Sequence, residues 1–184
     1  MTKWLTALLA AAAIAAPASA FQGFDANYAA EPYGPVVIAD IMIGPELAEK
    51  IDEYGAREID RLTGRLHDDL SRELAGMGWL GSDTSAAALL HVTIQDATPN
   101  RPTFAQMGSR PGLDFRSFGL GGAELTAELR TADGALIASY EYDWSGTDIR
   151  FAQYSSTWTD TFRTFDRFAS RLADSLADAA QSGM

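Results

Sequence analysis

The sequence predicts an α+β fold: a two-layer domain with a mainly antiparallel sheet of about four strands and two long helices on one face, in the order β-α-β-β-β-α. Three observations carry this. Apolar residues recur at three- and four-residue steps in two long stretches, which lines one face of a helix in each. Three segments between them alternate apolar and polar residues, as half-buried strands do. Those three strands follow one another without an intervening helix, so neighbours in sequence pair antiparallel and both helices fall on one side.

Residues 1–20 come before the fold. Lys3 precedes an apolar run from Trp4 to Ala16, and Pro17 leads into Ala18-Ser19-Ala20. Charge, grease and small residues in that order make a secretory signal peptide, and the run falls short of the ~20 residues that cross a bilayer core. Cleavage following Ala20 is expected, leaving a periplasmic or secreted protein. Residues 21–35 mix Gly, Pro and aromatics without periodicity and read as an N-terminal arm. A single domain then occupies 36–184.

The domain opens on Val36 to Ile43 (VVIADIMI), an apolar run between two Gly-Pro pairs, read as a strand buried on both faces. Ala56, Ile59, Leu62, Leu66, Leu70, Leu74 and Met77 mark the first helix, with a charged row including Asp68, Asp69 and Arg72 read as its solvated side. Leu89 to Asp96 alternates. A hairpin follows, with Leu125, Ala127 and Leu129 on one strand and Leu136, Ala138, Tyr140, Tyr142 and Trp144 on the other. Asp133-Gly134 between them suits a two-residue type I′ turn. Trp158, Phe162, Phe165, Ala169, Leu172 and Leu176 line the last helix, and Thr157 with Asp160 resembles its capping box. Leu66, Leu70, Ile94, Leu125, Leu129, Tyr140, Phe165 and Leu172 should form the core.

Composition narrows the function. The chain has 184 residues, 25 acidic and 14 basic, for a net charge of −11. That field repels nucleic acid, so no nucleic-acid partner is expected. The chain lacks cysteine, which excludes disulfides, thiol chemistry and an acyl anchor on cysteine. No later segment approaches the length of a transmembrane helix. There is no G-x-S-x-G nucleophile elbow. His67 and His91 have no second ligand at metal spacing, and Gly119-Leu120-Gly121-Gly122 lacks the Lys of a phosphate loop. It reads as a flexible lead into the hairpin. No catalytic residue, metal or cofactor is assigned.

Two features rise above this background. The segment Thr98 to Gly122 holds Arg101, Arg110 and Arg116 against Asp114 alone, interleaved with Phe104, Met107, Phe115 and Phe118. Long loops in compact domains are commonly functional, and arginine and aromatics favour binding hot spots. Arg101, Arg110, Phe115 and Arg116 are the candidate contacts. The second feature is the outer face of the hairpin, where the register sets Glu124 opposite Asp143 and Thr126 opposite Glu141. Opposed like charges destabilise a sheet, so the Glu124, Glu141 and Asp143 group calls for a neighbouring arginine (Arg116 or Arg150, the expected answer), a cation or a basic partner. Two functions follow: a non-enzymatic module binding an envelope protein or glycan through the 98–122 loop, or a carboxylate-dependent hydrolase using the acidic group.

The segments HVTIQDATPN (91–100), GGAELTAELRTADGALIASYEYDW (122–144) and STWTDTFRTFDRFASRLADSL (156–176) resemble the bacterial envelope family known as domain of unknown function 3313. Many of its members are lipoproteins. The resemblance implies an envelope protein and names no catalytic residue. Because Ala18-Ser19-Ala20 presents small residues to a signal peptidase, the exported protein should begin at Phe21. Intact-mass measurement of the exported protein checks this, and a chain retaining Lys3 contradicts it.

Overall fold

The computed structural model describes residues 23–82 and 87–182; the signal-peptide reading and its cleavage point lie outside them. The strands are β1 (Gly23–Tyr28), β2 (Val36–Ile38), β3 (Met42–Ile43), β4 (Ala88–Thr98), β5 (Gly122–Arg130) and β6 (Leu136–Ser145). They form one sheet in the order β1-β6-β5-β4-β2, and β3 pairs with β4 beside β2. The helices are α1 (Pro45–Ala48), α2 (Ile51–Tyr54), α3 (Ala56–Gly76), α4 (Phe104–Ser109), α5 (Ile149–Ala152) and α6 (Thr159–Ser182).

The α+β class stands, but the sheet has six strands and is mixed. β2 and β3 run parallel to β4, because the chain returns to the sheet through α3, a crossover long enough to reverse direction. The stretch read as one strand over 36–43 is two. Ala39 N–H donates to Leu90 O and Gly44 N–H to Ile94 O, while Asp40 between them is exposed, since a charge there gains more from water than from the ladder. Gly23–Tyr28, read as part of an irregular arm, is an edge strand antiparallel to β6. Its Phe24 and Tyr28 rings lie against Tyr140 at 6.1 and 5.9 Å between centroids, a cross-strand packing invisible in a short segment without periodicity.

One layer interface holds the core. Leu62, Leu66, Leu70 and Leu74 of α3 and Phe165, Phe168, Leu172 and Leu176 of α6 are fully buried against Leu90, Val92, Ile94, Leu125, Leu129 and Tyr140 of the sheet. All eight residues expected in the core are there. The charged row on α3 is not wholly solvated, however. Asp69 is 0% exposed, held by Arg65 Nε at 2.8 Å and Arg72 Nη1 at 2.9 Å, and Arg72 Nη2 continues to Asp166 of α6 at 3.0 Å. Two guanidiniums make this burial tolerable and tie the helices together.

The hairpin pairs as its apolar pattern requires: Leu129 with Ala138, Ala127 with Tyr140, Leu125 with Tyr142 and Ala123 with Trp144. Its turn is different from the two-residue reading. Gly134 alone of the turn has positive φ, at +92°, so Asp133 cannot take its place in a type I′ turn. Thr131 N–H donates to Ala135 O and Gly134 N–H to Thr131 O, a three-residue loop that sets Arg130 against Leu136. Ile137 is the extra residue between that register and the next, a bulge that returns Tyr140 and Tyr142 to the core side. The bulge leaves Leu136, expected on the core face, exposed before it, while Ile137 and Ala138 are both buried.

Leu70 sits at the centre of the interface, so Leu70→Ala should cost about 2–5 kcal/mol. Chemical denaturation measures it, and an unchanged midpoint would refute the packing.

Candidate functional site

The long connection between β4 and β5 is ordered by polar anchors. Asn100 is 1% exposed and Asp160 5%. Asn100 Oδ1 accepts from Asp160 N–H at 2.8 Å, and its Nδ2 donates to Asp160 Oδ2 at 2.6 Å and to Gly119 O at 3.1 Å. Asn100 therefore caps α6 from a different segment, in place of the Thr157 box expected from sequence. Thr161 Oγ1 donates to Thr98 O and Gly122 O. The end of the glycine cluster, Gly121 and Gly122, is a site of close approach. A Cβ at Gly121 would stand 2.7 Å from Asn100 Oδ1, and one at Gly122 2.5 Å from Trp144 O.

Arg101 fastens the outer part of the loop. Its guanidinium donates to the carbonyls of Ser155 (2.6 Å), Phe115 (2.6 Å) and Gln153, so it joins the 98–122 loop to the segment between β6 and α6. Arg110 pairs with Glu53 at 2.7 Å. Thr103 and Gln106 form a reciprocal capping box that starts α4. Tyr54 lies behind this loop, and burial, then the Asp96 and Glu53 charges, push its hydroxyl up to about 12.

With polar bonds holding the loops, their aromatics stay outside. Phe115 is 68% exposed and stacks edge-on to Phe104 at 5.8 Å. Phe118 is exposed beneath the Arg101 guanidinium. Phe151 and Tyr154, the latter 83% exposed, come from the segment whose Gln153 and Ser155 carbonyls Arg101 holds. Sequence reading missed these two, because GTDIRFAQYSS carries no period. Arg116 is exposed on a turn closed by Asp114 Oδ1. Of the candidate residues, Arg101 and Arg110 are structural clamps, while Phe115 and Arg116 face solvent.

The acidic candidates lie apart from this surface, on the sheet face opposite the helices. Glu124 pairs with Asp143 across β5 and β6, as expected, and Asp96 lies opposite Glu124 on β4. Glu141 faces Thr126 on one side and Asp25 on the other. Lys50 binds Asp96 at 2.6 Å. The expected arginine is not supplied by either candidate: Arg150 is bidentate on Asp148, and no ion pair reaches Glu124, Glu141 or Asp143 among the described residues. Burial first, then Asp143 and the other nearby acids, raise the Glu124 carboxyl above its usual range; burial raises Asp143. These two line a shallow depression of about 170 Å³ with Trp144 and Ser145. Among the described residues no group of three or more histidines and carboxylates is disposed to hold a metal, and no helix is long and apolar enough to cross a membrane.

No protein-family model matches the chain, and no curated protein matches it. Among solved structures it is similar to the PelC dodecamer from Paraburkholderia phytofirmans, at 13% identity over 82% of this chain and 98% of that one, with a TM-score of 0.48. It is also similar to a minor lipoprotein from Acinetobacter baumannii, at 15% identity over 78% of this chain and 93% of that one, with a TM-score of 0.43. Neither likeness bears on function at these scores.

The raised carboxyls give a signed pH dependence. A carboxyl whose folded pKa lies above its unfolded value weakens the fold once it ionises, so the penalty is absent below the ordinary values of 3.8 and 4.5 and complete above the folded ones. Glu124→Gln should therefore melt higher than the parent at pH 7, with the gap closing as pH falls toward 4. A gap that persists or widens in acid would contradict the opposed-charge account.

Proposed function

We propose that the protein is an exported, non-enzymatic binding module of the cell envelope, and that its contact surface is the aromatic end formed by the 98–122 loop and the segment before α6. The observation that carries this is the exposure of Phe104, Phe115, Phe118, Phe151 and Tyr154 on two loops locked together by one guanidinium. Large apolar side chains grouped on a rigid surface mark interaction sites. Arg116 adds a donor at the rim, and rings with arginine are the chemistry of a protein–protein hot spot. The signal-peptide pattern of residues 1–20 supports the compartment, and the resemblance of 91–100, 122–144 and 156–176 to domain of unknown function 3313 agrees with it.

The hydrolase reading rests on Glu124, Glu141 and Asp143. Burial and then the neighbouring acids raise Glu124, burial alone raises Asp143, and the depression beside these two is small and shallow. A glycosidase-like pair works across a bound chain in a cleft, which favours the binding module.

Photo-crosslinking in intact cells separates the two. A crosslinker at Phe115 or Tyr154 should yield discrete adducts that Phe151→Asp abolishes, while one at Thr126 on the open sheet face yields none. Adducts from Thr126 alone would overturn the assignment of the surface.

A further inference from the structure

The two edges of the sheet are unequal. On one side the edge is β2 and β3, of three and two residues, interrupted at Asp40 and flanked by Pro35 and Pro45. Short, broken and proline-flanked strands resist pairing with another chain. On the other side β1 runs six residues without a break or a proline. β6 pairs with its inner side, and α6 packs on its apolar face through the Tyr28–Ser175 hydroxyl contact at 2.8 Å.

The ladder shows which backbone groups face outward. Ala29 N–H donates inward to Ile137 O, and the register is continuous from Gly23–Asp143 to Tyr28–Ala138. Alternate residues of an antiparallel strand direct their N–H and C=O the same way. Asp25 and Asn27 therefore bond toward β6, and Phe24, Ala26 and Tyr28 present theirs to the far edge, which no strand pairs among the described residues.

The side chains around that edge are self-complementary. Phe24-Asp25-Ala26-Asn27-Tyr28 reads aromatic, acid, small, amide, aromatic about Ala26. Reversed against itself with Ala26 opposite Ala26, it sets Phe24 against Tyr28 and Asp25 against Asn27. Paired residues then share a face, as the pleat demands. Shifting by one residue in each copy would oppose Asp25 to its own image, a like-charge pair. In the monomer Asn27 Nδ2 already donates to Asp25 Oδ1 at 2.6 Å, so the two groups suit each other. Asp25 also stands opposite Glu141, and a second amide beside it offsets that repulsion.

We propose that β1 is a self-pairing edge: a second copy of this chain adds antiparallel about a two-fold axis at Ala26, joining two six-stranded sheets with both helical layers on one side. Such an interface is isologous and closes at two copies. Ala26 exchanges a reciprocal pair of backbone hydrogen bonds with its image, and Phe24 exchanges further bonds with the second copy's Tyr28. The half-buried Phe24 and Tyr28 rings lose their remaining exposed edges there. The aromatic end takes no part.

Sedimentation velocity of the purified protein tests this. The parent should shift from monomer to dimer with rising concentration. Ala26→Pro removes only an outward N–H, which an edge strand tolerates; it should abolish the dimer and leave the melting curve unchanged. Asn27→Asp should weaken association about tenfold, by setting Asp25 against a second acid in each of two pairs. The double variant Asp25→Asn with Asn27→Asp restores complementarity and should recover the dimer. A parent that stays monomeric into the millimolar range, or a dimer indifferent to Ala26→Pro and to the exchange, overturns the proposal.

Discussion

The arrangement of one whole end of the molecule depends on the reciprocal bonding of Asn100 with Asp160. Asn100 follows the last turn out of β4, Asp160 opens α6, and Gly119 to Gly122 lead into β5. A single amide gives a buried helix terminus the acceptor it lacks and meets a buried carboxylate with a donor. Asp160 is further favoured by its place in the first turn, where the helix presents its positive end. Gly121 N–H and Arg163 supply its remaining partners. Replacing either member strands the other in the interior, where an unpaired polar group costs about 1–3 kcal/mol and a charge more.

From that anchor the character of the outer loops follows. A loop fastened by hydrophobic side chains turns its rings inward, and exposing one forgoes roughly 1.5–3 kcal/mol. Here the loop takes its order from Asn100, from the Thr103–Gln106 box and from the three carbonyls on Arg101. Its phenylalanines are therefore not needed beneath it. The polar scaffold accounts for the rigidity, and the rings are left to meet something outside.

How much of this was legible in the sequence varied with the physics involved. The helical faces of α3 and α6 and the core register of β5 with β6 were, because burial selects residues at a fixed period and Tyr140 and Tyr142 admit one side. β1 was not, since six residues with two aromatics leave no pattern distinct from a loop, and its pairing depends on a strand far away. The turn misled because Asp-Gly suits two loop lengths, and only the compensating bulge at Ile137 lets the three-residue one coexist with the core register. Arg101 and Arg110 were found as charged loop residues. Their role as clamps depends on Gln153, Ser155 and Glu53, which no local spacing connects to them. The opposed Glu124 and Asp143 were legible because they follow from register alone.

The pairing of β1 with β6 also has a consequence for the order in which the molecule assembles. β4, β5 and β6 follow one another along the chain, and even the long β4–β5 connection closes over far fewer residues than separate β1 from β6. β1 comes first in the sequence, yet its partners lie more than a hundred positions later. In a chain that emerges N-terminus first, β1 waits until β6 exists, and closing so long a loop is among the slower steps of folding. Throughout that interval Phe24, Ala26 and Tyr28 belong to an unpaired strand with both edges open, so the first strand to appear waits on the last.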